Sequence, residues 1–425
     1  MTSVRLPQTE EALEETSAAE LAHQALRALT ELQNLHKPSS QQDRARIVEE
    51  LHLKREAFGF LARRGAIGKP AGEPENSTLR EITRTGREFL LTPENLLSQS
   101  GTRYHNRINE LLAKWARERG LLVEEKRRHV LQSRDAWPSN LWEPLRKPAP
   151  CWIGQEDLHR WAHNLRSSQA FAVNLFGPLK LQKHWALDLW QPFFPRVTEI
   201  EFEFPKTDDL LEETTVRPSR TRVDVRISHS RGCATLAEVK LTELGFGCCG
   251  ASEEEENEAA DRSCNVPFHG FQTLAKDCYL EQKAQRSYLR KLEQENSVID
   301  ETKIAAFGRT SCPFRNGLYQ IMRNLLMAQV LTKPGQNVDV AVVIPGRRLN
   351  PFLHDSLASE NGDLLAALRS ILKPGKAETI KLIEFEQVVE AAGNHSSEEA
   401  KGWANYMTEK YVNPLFEASR RAHNA

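Results

Sequence analysis

Long apolar runs are missing from this 425-residue chain: no stretch approaches the ~18 uninterrupted apolar residues that a membrane-crossing helix needs. The opening MTSVRLPQTEEALEE also lacks the charged and then apolar regions of a secretory signal. A soluble globular protein of the cytoplasm, with no membrane partner, is expected. An excess of either charge is absent too, since 57 Lys and Arg against 58 Asp and Glu leave a formal net charge of −1. That excludes a global pull on nucleic acid and confines any such affinity to local basic patches. The 7 cysteines are odd in number and show no CxxC spacing, which in a cytosolic chain argues against a disulfide framework. Internal repeats are lacking as well. What is there, 40% hydrophobic residues over 425 positions, suffices for a sizeable core in one large domain or two to three smaller ones.

The most informative residues are Asp224 and the tripeptide Glu238-Val239-Lys240. In Thr221 to Ser228 (TRVDVRIS), Val223, Val225 and Ile227 alternate with Arg222, Asp224 and Arg226, the period-two pattern of a half-buried strand. In Ala234 to Leu241 (ATLAEVKL), Ala237, Val239 and Leu241 face one way, and Glu238 and Lys240 the other. Ser230, Arg231, Gly232 and Cys233 between them suit a turn. If the strands pair, two carboxylates and an ammonium converge. Carboxylate oxygens hold Mg²⁺, which keeps several waters and binds phosphate, and such an ion polarises a phosphoryl oxygen and acidifies an attacking water. The set suits metal-assisted phosphodiester cleavage, with Lys240 orienting the water or offsetting charge. An amphipathic hairpin with a solvated ion pair carries the same pattern, so the neighbouring elements matter.

Gln155 to Phe176 repeats Leu158, Trp161, Ala162, Leu165, Ala172 and Leu175 at helical spacing, with Gly177-Pro178 as a stop. Arg196 to Phe204 alternates Ile200, Phe202 and Phe204 against Glu199, Glu201 and Glu203 as a first strand. Pro313 to Val330 predicts a helix with Phe314, Leu318, Ile321, Leu325 and Leu326 inward, and Val338 to Ile344 (VDVAVVI) a buried strand. This order of helix, three-stranded meander, helix and strand resembles the PD-(D/E)XK nuclease superfamily, whose fold is the restriction-endonuclease-like α/β core. Closer still, SSQAFAVNLFGPL at Ser167 to Leu179, EVKLTE at Glu238 to Glu243 and LYQIMRN at Leu318 to Asn324 resemble a family of bacterial PD-(D/E)XK proteins regarded as restriction-type nucleases. The resemblance covers less than half the chain, from about Gln155 to Pro345. It implies a mixed sheet flanked by helices, Mg²⁺ or Mn²⁺ as cofactor, DNA as partner, Asp224 and Glu238 as metal ligands and Lys240 as the catalytic lysine. Many members carry an acid on the first core helix, whereas this one offers Ser167, Ser168, Gln169 and Asn174. A further carboxylate is therefore expected from Glu203 or Glu243.

Related nucleases often use a Gln or Tyr on the second core helix, which makes Gln320 a catalytic candidate. Tyr319 with Arg323, and Gln320 with Asn324, are i, i+4 pairs forming a polar stripe. Arg323 there suits a bidentate phosphate contact; alternatively, Gln320 and Asn324 satisfy backbone groups near a sheet edge. Lys126, Arg127 and Arg128 follow Lys114, Arg117 and Arg119 and form a patch for phosphate contact or a solvated face. Cys248, Cys249, Cys264, Cys278 and Cys312 fall between the third core strand and the second core helix, where some nucleases of the superfamily carry a metal staple. Cys249, Cys264, Cys278 and Cys312 are the candidate ligands for structural zinc or an iron–sulfur cluster, and scattered buried thiols are the alternative.

Residues 1–145 read as a mainly helical region and 146–425 as the nuclease-like domain with a C-terminal extension. Helical spacing recurs in Leu21, Ala25, Leu29 and Leu32, in Ile47, Leu51, Phe58 and Leu61, and in Ile108, Leu111, Leu112 and Trp115, with Gly65 to Ser77 as a connector. These helices could recognise DNA, join two chains in a homodimer, or buttress the core. Beyond the core, Leu364 to Leu372, Thr379 to Phe385 and Glu398 to Arg420 suggest helix, strand, helix. The expected function is a metal-dependent DNA endonuclease, with restriction or defence against foreign DNA implied by the resemblance alone. The alternatives are a catalytically inactive DNA-binding or assembly module of the same fold, or a nuclease acting on RNA or branched DNA.

Overall fold

The computed structural model describes residues 93–205, 221–247, 270–282, 286–294, 297–307, 318–356 and 363–423, with the pieces 40–50, 67–68 and 81–82 and a few isolated positions besides. Five strands form one sheet in chain order: β1 Val197–Phe204, β2 Val223–His229, β3 Ala234–Val239, β4 Val338–Ile344 and β5 Ile380–Glu384. The first three make an antiparallel meander, as the family resemblance implies, and β4 and β5 add in parallel. A parallel neighbour needs a crossover. Helices that frame the sheet include α1 Pro93–Glu118, α2 Ser168–Lys180, α3 Tyr319–Leu331, α4 Leu364–Ser370, α5 Phe385–Gly393, α6 Glu398–Met407 and α7 Asn413–His423. Helix α3 ends the crossover between β3 and β4, and α4 lies in the one between β4 and β5.

Helices cover both faces of the sheet. Ala237, Val239, Ala341 and Val343 share one core with Phe171 and Phe176 of α2 and Trp403 of α6. Leu236, Val340 and Val342 pack on the other side with Ile321, Leu325 and Leu326 of α3 and Leu368 of α4. A strand buried on both sides reads as nearly continuous apolar sequence, and β3 obeys this except at Thr235 and Glu238. Helix α1 packs along α7, and its Tyr104, Ile108, Leu112 and Trp115 enter the same core as α2. Residues on both sides of position 145 thus contribute to this core. Ile67–Gly68, in the expected connector, pairs with Glu81–Ile82, which lies beyond it. The helices predicted over 21–32 and 47–61 lie mostly outside the described residues. No helix among the described residues is long and apolar enough to cross a membrane.

The first core helix departs from its predicted span. Residues 155–167 form turns, and α2 begins only at Ser168, where Ser167 Oγ accepts from Ala170 N at 3.3 Å, an N-cap that the apolar spacing upstream conceals. Trp161, predicted for the inner face of a helix, is instead 36% exposed. Nor does Gly177-Pro178 end the helix, which continues to Lys180. A proline at 178 removes the N–H that would bond the carbonyl four residues back, that of Asn174. Trp403 Nε1 donates to this carbonyl at 2.9 Å, replacing the missing bond from another helix. Trp403→Phe would leave a buried acceptor bare and is expected to lower stability by about 1–3 kcal/mol, read from the urea midpoint. An unchanged midpoint would show that the carbonyl finds another donor.

The C-terminal helix predicted over 398–420 is α6 and α7 joined by a π-turn, Thr408–Val412. There Lys410 is fully buried, donating to Asn140 Oδ1 at 2.5 Å and Tyr406 Oη at 3.0 Å, with its Nζ 5.0 Å from the Trp115 ring centroid. Burial pushes its pKa well below the usual lysine range.

Candidate active site

Sheet register builds the site. Phe202 pairs with Val225 and Phe204 with Val223, while Val225 pairs with Ala237. By the same register Glu203 on β1, Asp224 on β2 and Glu238 on β3 fall in one row across three strands, since opposed residues share a face. Lys240, two positions beyond Glu238, projects with it. Glu238 is 2% exposed and Lys240 5%, and Lys240 Nζ lies 2.7 Å from Glu238 Oε1. The other oxygen, Glu238 Oε2, accepts from Asn324 Nδ2 of α3 at 2.7 Å. Asp224 Oδ2 accepts from the backbone N–H of Val239 at 2.7 Å. Glu203 accepts from Gln169 Nε2 at 2.5 Å and has a φ of 53°, a conformation that costs a non-glycine residue energy.

Crowding of like charges shapes the electrostatics. Burial, and then the neighbouring charge of Glu238, pushes the Asp224 carboxyl well above the ordinary range. Burial likewise carries Glu203 up to about 7, with the charges of Asp157 and Glu238 adding to it. For Lys240 burial opposes the charge, but Glu238, Glu243 and Asp224 outweigh it and raise the pKa. Lys240 therefore stays an ammonium at neutral pH. Burial also opposes the charge of Glu243, yet Lys240 and the Leu241 N–H, which Glu243 Oε2 accepts at 2.7 Å, hold this carboxyl below its usual value.

Glu203 and Asp224 of the row open on a cavity of about 630 Å³, whereas Glu238 and Lys240 are buried behind its lining. Asp157, Glu203, Asp224 and Glu243 line one part of it, and Arg127 and Arg166 supply cations elsewhere on the wall. Among the described residues no three His, Cys, Asp or Glu side chains gather closely enough to hold an ion unaided. Mg²⁺ does not require that, because it is commonly held by one or two carboxylates together with waters and a substrate phosphate. Burial, and then Glu238, raise the Asp224 pKa, and a divalent cation beside it would favour the ionised carboxylate. Asp224 and Glu238 fit such an ion.

The other predicted site residues distribute unevenly. Glu203 and Glu243 reach the cavity wall. Arg127 reaches its rim, paired with Glu124 at 2.7 Å, while Lys126 and Arg128 are exposed. Gln320 is not on this wall: its N–H donates to Phe246 O at 3.1 Å, and its side chain lies against Gly247, whose φ of 73° favours glycine. Arg323 also stays off the wall, its guanidinium 4.8 Å from the Tyr319 ring centroid. Asn324, read either as part of a polar stripe near the phosphate or as a partner for backbone groups, donates to the Glu238 carboxylate. Asn174 is spent in the core, accepting from Trp142 N at 2.7 Å and donating to Tyr411 Oη at 2.8 Å. Cys249, Cys278 and Cys312 line one small apolar pocket with Tyr288, Tyr319 and Phe314, whereas Cys264 lies outside the described residues. Sequence reasoning missed Asp157, ion-paired with Arg222, because its segment reads as helix.

A mixed sheet with α2 and α3 on opposite faces, and an acidic row where β1, β2 and β3 meet, defines a restriction-endonuclease-like α/β protein. The chain belongs to the family REase-ARP, described as Restriction Endonuclease associating with ARP, which it matches over residues 94–412. The match takes in α1 as well as the sheet, and so extends well beyond the segment that carries the sequence motifs. No curated protein and no solved structure matches the chain.

Proposed function

We propose that this chain is a metal-dependent DNA endonuclease serving restriction or defence against foreign DNA, beside the ARP partner that the family description names. The observation that carries this reading is the register placing Asp224 opposite Glu238, with Lys240 ion-paired beside them, in a member of a restriction endonuclease family. Asp224 and Glu238 would hold Mg²⁺ or Mn²⁺; when bound, the ion supplies Lewis-acid polarisation of the phosphoryl oxygen and a more acidic attacking water. Lys240, kept protonated by its carboxylate neighbours, offsets charge that develops on the phosphate oxygens. Asn324 fixes the orientation of Glu238, and the Val239 N–H that of Asp224. Purified protein with Mg²⁺ or Mn²⁺ is expected to cut plasmid or linear DNA and to stop in EDTA. Cleavage of RNA or branched DNA alone would change the substrate, and binding without cutting under either metal would favour an inactive module.

Affinity must come from local basic groups, because the chain carries a net charge of only −1. Replacing Lys126, Arg127 and Arg128 together by Gln is expected to weaken DNA binding across all sequences. The slope of log affinity against log salt should flatten by about 0.9 for each phosphate that the variant no longer neutralises. Unchanged affinity and slope would assign the patch to solvent.

A further inference from the structure

We propose that the cavity beside the carboxylate row seats an unstacked nucleobase against Trp161, an inference that rests on the nuclease reading of the same cavity. Trp161 lines the cavity wall and at 36% is among the exposed large apolar side chains. Its ring is braced from within the protein. The buried His163 ring stacks against it, with centroids 5.9 Å apart and planes 19° from parallel, and its backbone N–H donates to His159 Nδ1 at 3.2 Å. The exposed Arg127 guanidinium lies over the ring, 4.8 Å from its centroid, and that of Arg160 lies over it at 5.9 Å, so an entering base either displaces Arg127 or stacks on its guanidinium plane. Beside the ring Asn164 also faces the cavity. Its Oδ1 accepts from Arg166 N at 3.1 Å, while its amide NH₂ bonds to no described residue and so is available to an acceptor on a base edge.

A phosphodiester and a hydrated ion have no use for this wall. Their waters take about 30 Å³ each, so a cavity of about 630 Å³ leaves room for more. An aromatic ring carrying an exposed guanidinium over it, with an amide beside it, is the chemistry that stacks and reads an exposed base. Bases inside a duplex present no free face. The ligand is therefore a base of a single strand, or one extruded from a duplex.

Affinity in EDTA tests this without requiring cleavage. Short single-stranded oligonucleotides, and duplexes of the same sequence, would be bound intact or with one base removed at each position in turn, by the parent chain, Trp161→Ala and Trp161→Phe. One position in the parent should show a loss of roughly 5- to 150-fold on base removal, the range of stacking on an aromatic side chain. Trp161→Ala should bind intact DNA more weakly by a similar factor and show no such positional penalty, and Trp161→Phe should keep most of both. A penalty confined to single strands identifies an already unpaired base, and one present in duplexes identifies extrusion. Parental affinity in Trp161→Ala, penalties that persist in it, or no binding by the parent would each overturn the proposal. The nuclease reading is scored separately, by Mg²⁺-dependent cutting by the parent. A chain that never cuts yet shows the Trp161-dependent penalty loses that reading and keeps the base site.

Discussion

Asp224→Asn, Glu238→Gln and Lys240→Met are each expected to lower Mg²⁺-dependent cleavage by about 100-fold or more, while the far-UV circular dichroism at the assay temperature stays that of the parent. The amides keep acceptors for the Val239 N–H and for Asn324, so the backbone is not asked to rearrange. They do remove the negative charge by which a divalent ion is held. Lys240→Met removes a preorganised cation in a poorly solvated site, where one such group contributes about 3 kcal/mol to a charged transition state, or some two orders of magnitude in rate. Parental rates in all three variants would move the site elsewhere. Loss in Asp224→Asn alone would reduce the candidate set to one ligand.

Stability should respond to the Glu238–Lys240 pair in a non-additive way. Both side chains are almost fully buried, at 3% and 6% exposure, and their charges meet at 2.7 Å. Glu238→Leu strands an ammonium and Lys240→Met strands a carboxylate, and breaking a buried pair from one side costs about 3–5 kcal/mol. The double variant Glu238→Leu/Lys240→Met removes both charges together and is expected to cost far less than the sum of the singles, since apolar residues often replace a buried pair with little loss. Urea unfolding of the four proteins gives the coupling energy, expected at the upper end of the usual range of about 0.5–3 kcal/mol. Additive losses would mean that the two charges are screened from one another. The expected outcome makes the pair a poor device for stability, which fits retention for chemistry.

How legible each part is depends on how local its cause is. In β1, Ile200, Phe202 and Phe204 against Glu199, Glu201 and Glu203 announce a strand because successive side chains point to opposite faces. The same rule locates β2 and β3 to within about two residues, and the continuous apolar run VDVAVVI locates β4. It also brings Asp224, Glu238 and Lys240 together, since β2 and β3 are consecutive and joined by the short turn Ser230–Gly232. Helix ends are less legible. The start of α2 depends on the Ser167 cap, and its passage through Pro178 depends on a donor from Trp403, 229 residues from Asn174 along the chain. Asp157 and Trp161 escape notice because the apolar spacing of 155–176 mimics a helix through a segment that forms turns.

By itself the sequence determined the pairing pattern of the meander, the apolar strand β4, the lack of a global charge, and the two carboxylates and lysine on one strand face. Each follows from sterics or composition acting over a few residues. The tertiary structure alone decided that Asn324 of α3 would hold Glu238, that Glu203 would complete the acidic row, that Gln320 and Arg323 would stay off the cavity wall, and that α1 would share the core of the sheet. These depend on the register of β1 against β2 and on which faces α2 and α3 bury. Such choices are made by the burial of apolar surface contributed by residues hundreds of positions apart, which no local spacing records.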